Sequence, residues 1–214
     1  MFRLKGGNII FSKFENLEAE KQERILNASM KEFAKKGYKN ASTNEIVKEA
    51  GISKGALFHY FKNKKELFLY LYDYSVEFLT NEILKKFNYE EGDIFLRMEQ
   101  IMMLKIENFK RHPKMYDFFL AAYMEECDEV KSELESKNKV ITESGYSKIY
   151  EGIDFSKFKE DVDVKKAIEI INWTLEGFSN REAEKLKNFS YEDSDELIKE
   201  INTYLEILKK SFYK

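Results

Sequence analysis

Cysteine, proline and histidine are nearly missing from this chain of 214 residues, which has one cysteine, one proline and two histidines. The single Cys127 excludes an intramolecular disulfide framework and any multi-cysteine zinc site. His59 and His112 alone leave little material for histidine-based metal or nucleophilic chemistry, so neither a metal nor a cofactor is expected. One proline and nine glycines leave long stretches without a helix breaker. No apolar run approaches the ~20 residues of a spanning helix, and Met1–Phe14 has no apolar h-region, so neither a membrane partner nor a secretory signal is expected.

What is present is 43% hydrophobic and 35% charged, enough for a sizeable core in one large domain or two small ones. The net charge of -3 is unevenly spread. Residues 1–64 hold 13 Lys and Arg against 7 Asp and Glu, a balance of +6; the remaining 23 against 32 give -9. A basic first third on an acidic remainder points the N-terminal part towards a polyanion, although chance clustering of solvated lysines would look the same.

The periodicity predicts helices throughout and an all-α fold. Residues 1–14 read as an arm or a disordered extension, and a basic arm touching DNA stays open. A first helix is expected from an Asn16 cap to Gly37, with Ile25, Ala28, Ser29 and Phe33 at helical spacing. Ser42 and Glu45 form a capping box before Ile46, Val47 and Ala50; Gly51 ends that helix, Ser53 caps the next, and Asn63 with Glu66 opens a long one to about Phe87. Further helices are expected over 94–111, 115–126, 128–150, 164–187 and 195–212. The expected domains are an extension over 1–14, a helix-turn-helix head over 15–63, and a helical ligand-binding and dimerisation bundle over 64–214.

Ser42 to Tyr60 carries the chemistry. Small Ala50 allows two helices to cross closely, and Gly51 supplies a left-handed turn. The second helix would enter a major groove with Lys54, Gly55, Ala56, Phe58, His59 and Tyr60 on its face. Thr43 and Lys64, at helix N-termini, would meet phosphates.

The run from Asn40 to Val47, and Ala50-Gly51-Ile52-Ser53-Lys54-Gly55-Ala56-Leu57-Phe58-His59-Tyr60-Phe61-Lys62-Asn63-Lys64-Lys65-Glu66-Leu67 after it, is similar to the signature of TetR-type transcriptional regulators. The resemblance implies a cytoplasmic homodimeric repressor of nine or so helices, whose first three bind an operator in double-stranded DNA. The remainder would bind a small-molecule effector and dimerise. Carried over position by position, Thr43, Asn44, Ser53, Lys54, Ala56, Phe58, His59, Tyr60 and Lys64 match DNA-contacting positions. Phe58 stands where the family more often has tyrosine.

Met98 to Met124 is rich in methionine and aromatic residues. Alone it reads as core; with the resemblance, Met102, Phe119, Tyr123 and Trp173 are expected to line an effector cavity for an apolar or amphipathic molecule. In the last two helices, Ile171, Leu175, Phe178, Ile201, Tyr204, Leu205 and Leu208 are expected at a two-fold interface. Cys127 has Glu125, Glu126 and Asp128 as neighbours rather than the cations that activate a thiol, and no catalytic group is assigned. Two rivals stay open: the same fold controlled by a protein partner, and a helical small-molecule carrier or enzyme without DNA binding.

Overall fold

The structure, a computed structural model, describes residues 11–186 and 194–214. Among them are ten α-helices: α1 (Ser12–Glu15), α2 (Ala19–Asn40), α3 (Thr43–Ala50), α4 (Lys54–Phe61), α5 (Lys64–Leu84), α6 (Ile94–Arg111), α7 (Pro113–Tyr123), α8 (Asp128–Tyr150), α9 (Val164–Leu186) and α10 (Ser194–Phe212). Extended pairing among the described residues is limited to one isolated bridge, Phe158 with Tyr213. None of the described helices is long and apolar enough to cross a membrane.

Local chemistry explains most boundaries. Pro113 occupies the first turn of α7, where its missing N–H has no helical partner to lose. Gly37 interrupts α2 at φ 67°, ψ 174°, a conformation open almost only to glycine, so the helix stops there and resumes for one short turn. Gly145 does not break α8. The expected end of the ninth helix at Lys187 lies outside the described residues.

Two expectations at the N-terminus are corrected. Asn16 does not cap the long helix; it closes α1, with its N–H on the Ser12 carbonyl, and Glu18 takes the cap position of α2. Residues 11–14 are not unstructured, because Phe14 is fully buried between aromatic rings of α4 and α5. Met1–Ile10 of the extension lie outside the described residues.

The chain divides into two compact units. The first holds α1 to α5 up to Glu82, together with residues 112–141. Its core is aromatic: Phe33 meets Phe68 edge-on at 4.9 Å, and Phe68 meets Phe118 at 5.6 Å. Ile25, Ile46, Leu57, Phe61 and Leu71 complete it, each fully buried and each stabilising by roughly 1.5–3 kcal/mol. α2 is the hub, packing on both α3 and α7.

The second unit comprises residues 83–111 and the chain from 142 onward. Ile94, Ala167, Ile171 and Ile201 form its centre. The carboxylate of Asp93, 7% exposed, caps α6 by accepting the N–H groups of Phe95 and Leu96 at 2.9 and 3.4 Å. Lys157 and Lys209 approach its other oxygen at 3.5 and 3.4 Å. Burial pushes this carboxyl up, but the N–H bonds and the two ammonium groups outweigh it and leave it below its ordinary value of 3.8.

A carboxylate depressed in the folded state adds stability that is present above its unfolded value and is lost as pH falls through the folded one. Asp93→Asn is therefore expected to melt below the parent at neutral pH, and the gap should close below about pH 4. Thermal melts of both proteins across pH check this; a gap that persists undiminished in acid would remove Asp93 as the cause.

Candidate nucleic-acid interface

α3 and α4 form the helix-turn-helix. Ser42 accepts the Glu45 N–H at the start of α3, but the expected capping box is only half made. The Ser42 N–H goes instead to Glu32 of α2, at 2.9 Å, tying the new helix to the preceding one. Ala50 is fully buried at the crossing, and Gly51 adopts φ 67°, ψ 39°. The Ile52 N–H returns to the Val47 carbonyl at 3.0 Å and closes the turn. A Cβ on Gly51 would touch nothing within 4 Å, so glycine is required here by backbone conformation alone.

Ser53 caps α4 by accepting the Ala56 N–H at 3.1 Å. Leu57 and Phe61, both fully buried, fix the helix to the core and turn its opposite side outward. Ser53, Lys54, Gly55 and His59 are exposed there, with Asn44 exposed on α3. Thr43, Ala56 and Phe58 are half-buried. A glycine inside a helix costs roughly 1 kcal/mol against alanine. Nothing inside the protein compensates at Gly55, whose nearest neighbour for an added Cβ is the Ser53 hydroxyl at 4.0 Å. A bare backbone on an exposed helix face allows another molecule to approach closely.

Tyr60 corrects the expectation. It is 9% exposed, with its ring 6.2 Å from Phe14 and 6.5 Å from Phe61, and Lys21 above it at 5.9 Å. Its ring belongs to the core because α1 covers it.

Lys64 is held rather than free. Its ammonium donates to the Lys39 carbonyl at 3.1 Å and stands 4.9 Å from the centre of the Tyr38 ring. The Tyr38 N–H donates to Glu125 at 2.7 Å and its hydroxyl to Glu129 at 2.5 Å, so the α7–α8 corner fixes the ring beneath Lys64. The turn before Lys64 is strained. Lys62 has φ 61°, ψ -53°, and the Asn63 N–H reaches the Phe61 carbonyl at 2.5 Å, a positive-φ γ-turn that side chains rarely adopt. No sequence signal at Lys62 announces this.

The expected cavity residues are divided between the units. Phe119 stacks on Tyr72 at 5.9 Å and lies 6.1 Å from Tyr123, which is 40% exposed; all three belong to the first unit. Met102 packs on the core of the second unit. Trp173, in that unit too, is 64% exposed.

Four of the expected interface residues are also corrected. Ile171, Phe178, Ile201 and Leu205 are buried where α9 and α10 pack on α6 inside one chain. Leu175 and Leu208 are half-buried against the same core, and only Tyr204 of the set is exposed. Among the described side chains, Ile170, Trp173, Tyr204 and Ile207 are the large apolar groups that these two helices leave exposed.

Residues 25–71, from α2 into α5, match the family described as bacterial regulatory proteins, tetR family. An HTH-type transcriptional regulator of Bacillus subtilis, YerO, is 42% identical over 64 residues; the match covers 30% of this chain and spans 22% of that relative's length. The Fatty acid metabolism regulator protein of the same organism is 23% identical over 159 residues, covering 72% of this chain and 78% of the relative. The fold is that of a TetR family transcriptional regulator from Chloroflexus aurantiacus, with TM-score 0.62 and 21% identity over 95% of this chain and 98% of that one. The turn geometry agrees with the match of residues 25–71 to the tetR family of bacterial regulatory proteins, and the whole-chain fold is shared with a solved regulator of that family.

Proposed function

We propose that the protein is a DNA-binding transcriptional regulator, a cytoplasmic repressor that grips a palindromic operator as a homodimer. One observation carries the reading: the exposed face of α4, with Lys54 and His59 flanking the bare backbone of Gly55, on a helix whose other side is fixed to the core. That face fits a major groove, where Lys54 donates to a guanine or phosphate and His59 meets base edges. Asn44 and Thr43 at the start of α3 add backbone contacts, and Lys64 supports the phosphates. Residues 15–63 act as the reading head and 64–214 as the ligand-binding and dimerisation part.

The homodimer forms through the outer stripe of α9 and α10, with Ile170, Trp173, Tyr204 and Ile207 in it, rather than through the buried stripe. A small apolar or amphipathic effector releases the operator. The Tyr72, Phe119 and Tyr123 cluster supports an aromatic-lined effector site, and a relative named as a fatty acid metabolism regulator fits an effector of that character.

Fluorescence anisotropy with DNA from upstream of the protein's own gene, beside a scrambled duplex across a salt series, tests the reading. Tight binding to one palindrome supports it; equal, weak binding to both counts against it. Lys64→Ala should weaken binding to every sequence and lower the salt slope by about one. Lys54→Ala should relax sequence preference, and an unaltered preference would reassign Lys54 to the backbone.

A further inference from the structure

A lysine on a protein surface ordinarily samples many rotamers, because its four-carbon stem is flexible. Lys64, at the start of α5, is held instead. Its ammonium donates to the Lys39 carbonyl at 3.1 Å and lies 4.9 Å from the centre of the Tyr38 ring. Both partners are neutral, so the ammonium keeps its charge for an anion, and the carbonyl occupies only one of its donors. The strained turn at Lys62 delivers the chain to this position, and such strain persists only where the surroundings over-determine it.

The platform under Lys64 is assembled from residues 87 and 91 positions further along the chain, all within the first unit. Glu125 accepts the Tyr38 N–H with one carboxylate oxygen and the Cys127 N–H, at 3.0 Å, with the other. The corner between α7 and α8 thereby closes on itself and on the end of α2. Glu129 accepts the Tyr38 hydroxyl, and Phe33 and Phe68 flank the ring at 6.4 and 5.2 Å. Burial, and then the Glu129 bond, push the phenol up, so it stays protonated and a donor to that carboxylate. An anionic acceptor on the hydroxyl adds negative character to the ring face on which the ammonium rests.

Resting on the DNA-binding reading above, we propose that Tyr38 and Glu129 are positioning residues for DNA binding, which set Lys64 where it meets a phosphate. Neither touches the DNA. The lysine arrives already ordered, so less side-chain freedom is lost on binding. The consequence runs against simple charge. Removing an acid from a DNA-binding protein ordinarily strengthens its hold on a polyanion, whereas removing Glu129 should weaken it.

Salt-dependent anisotropy of the full chain, with the duplex that the parent protein binds, tests this in the parent and in a Lys64→Ala background. At fixed salt, Glu129→Ala should weaken binding about threefold and Tyr38→Leu about tenfold. Glu129→Gln removes the charge but keeps an acceptor for the hydroxyl, so it should bind within about twofold of the parent. In the Lys64→Ala background, Glu129→Ala and Tyr38→Leu should each change affinity by less than about twofold. Glu129 is exposed, so its variants keep the test decisive even where Tyr38→Leu does not fold. Unchanged or tighter binding by Glu129→Ala, or equal losses in the two backgrounds, would overturn the proposal. So would a Lys64→Ala variant that binds like the parent. A parent protein that binds no duplex would instead overturn the DNA-binding reading, and this inference with it.

Discussion

Replacing Arg97 by methionine is expected to destabilise the second unit by roughly 3–5 kcal/mol. Its side chain is fully buried, yet its hydrogen-bond partners among the described residues are main-chain carbonyls. The guanidinium donates to the carbonyls of Glu91, of Ile149 at 2.7 Å, of Glu151 at 2.6 Å and of Tyr89 at 2.7 Å. Two of these acceptors sit at the C-terminal end of α8, where the helix dipole favours a cation. The Phe87 ring lies 5.7 Å away, and Gly152 turns the chain beside the guanidinium at φ 75°, an angle rather than a lack of space that calls for glycine, since a Cβ there would make an ordinary contact at 3.7 Å.

Methionine fills similar space but strands four carbonyls in the interior, each having lost its donor. Lysine restores the charge but not the planar fork, so Arg97→Lys should recover only part of the loss. Thermal unfolding should show a fall of roughly 10 °C for Arg97→Met. A melting point within about 2 °C of the parent would mean that these carbonyls find other donors.

On the proposed reading, Trp173→Arg is expected to turn the proposed homodimer into a monomer and abolish tight operator binding. Tryptophans at the centre of an interface are worth about 2 kcal/mol or more each, and a two-fold axis counts the substitution twice. The dimer should weaken by about a thousandfold, and a lone head reads only one half-site. Trp173 is 64% exposed in the single chain, so the substitution leaves the core intact and the melting point of the isolated chain should hardly move. Analytical ultracentrifugation gives the oligomeric state, and the same samples serve for anisotropy. A variant that stays dimeric would place the interface elsewhere than this stripe.

Of the seven residues expected at the interface, Ile171, Phe178, Ile201 and Leu205 are buried within the chain and show where sequence patterns lose resolution. α9 carries apolar side chains around most of its circumference, and α10 has a broad apolar set. Periodicity establishes that such helices are covered on more than one side. It cannot say which side its own chain covers. The packing of α10 against both α6 and α9 decides that, and it leaves Ile170, Trp173 and Ile207 outside.

Tyr60 and Asn16 fail for a related reason. Both follow from α1, which ends at Asn16 and sets Phe14 against the distant Tyr60. Arg97 gave no sequence signal at all, since its four acceptors are main-chain carbonyls that any residues could supply.

The sequence by itself determined the all-α class, the stop at Gly37 and the helix-turn-helix with its caps at Ser42, Ser53 and Asn63. These depend on hydrogen bonds spanning three or four residues and on one backbone angle at Gly51, so the information lies within a single turn of chain. Only the tertiary structure decided that Glu32 completes the cap at Ser42, that Lys64 rests on Tyr38, and that Tyr60 is core. Each of those depends on partners brought together from distant parts of the chain, where several apolar or polar groups of the same kind compete. Packing, not spacing, selects among them.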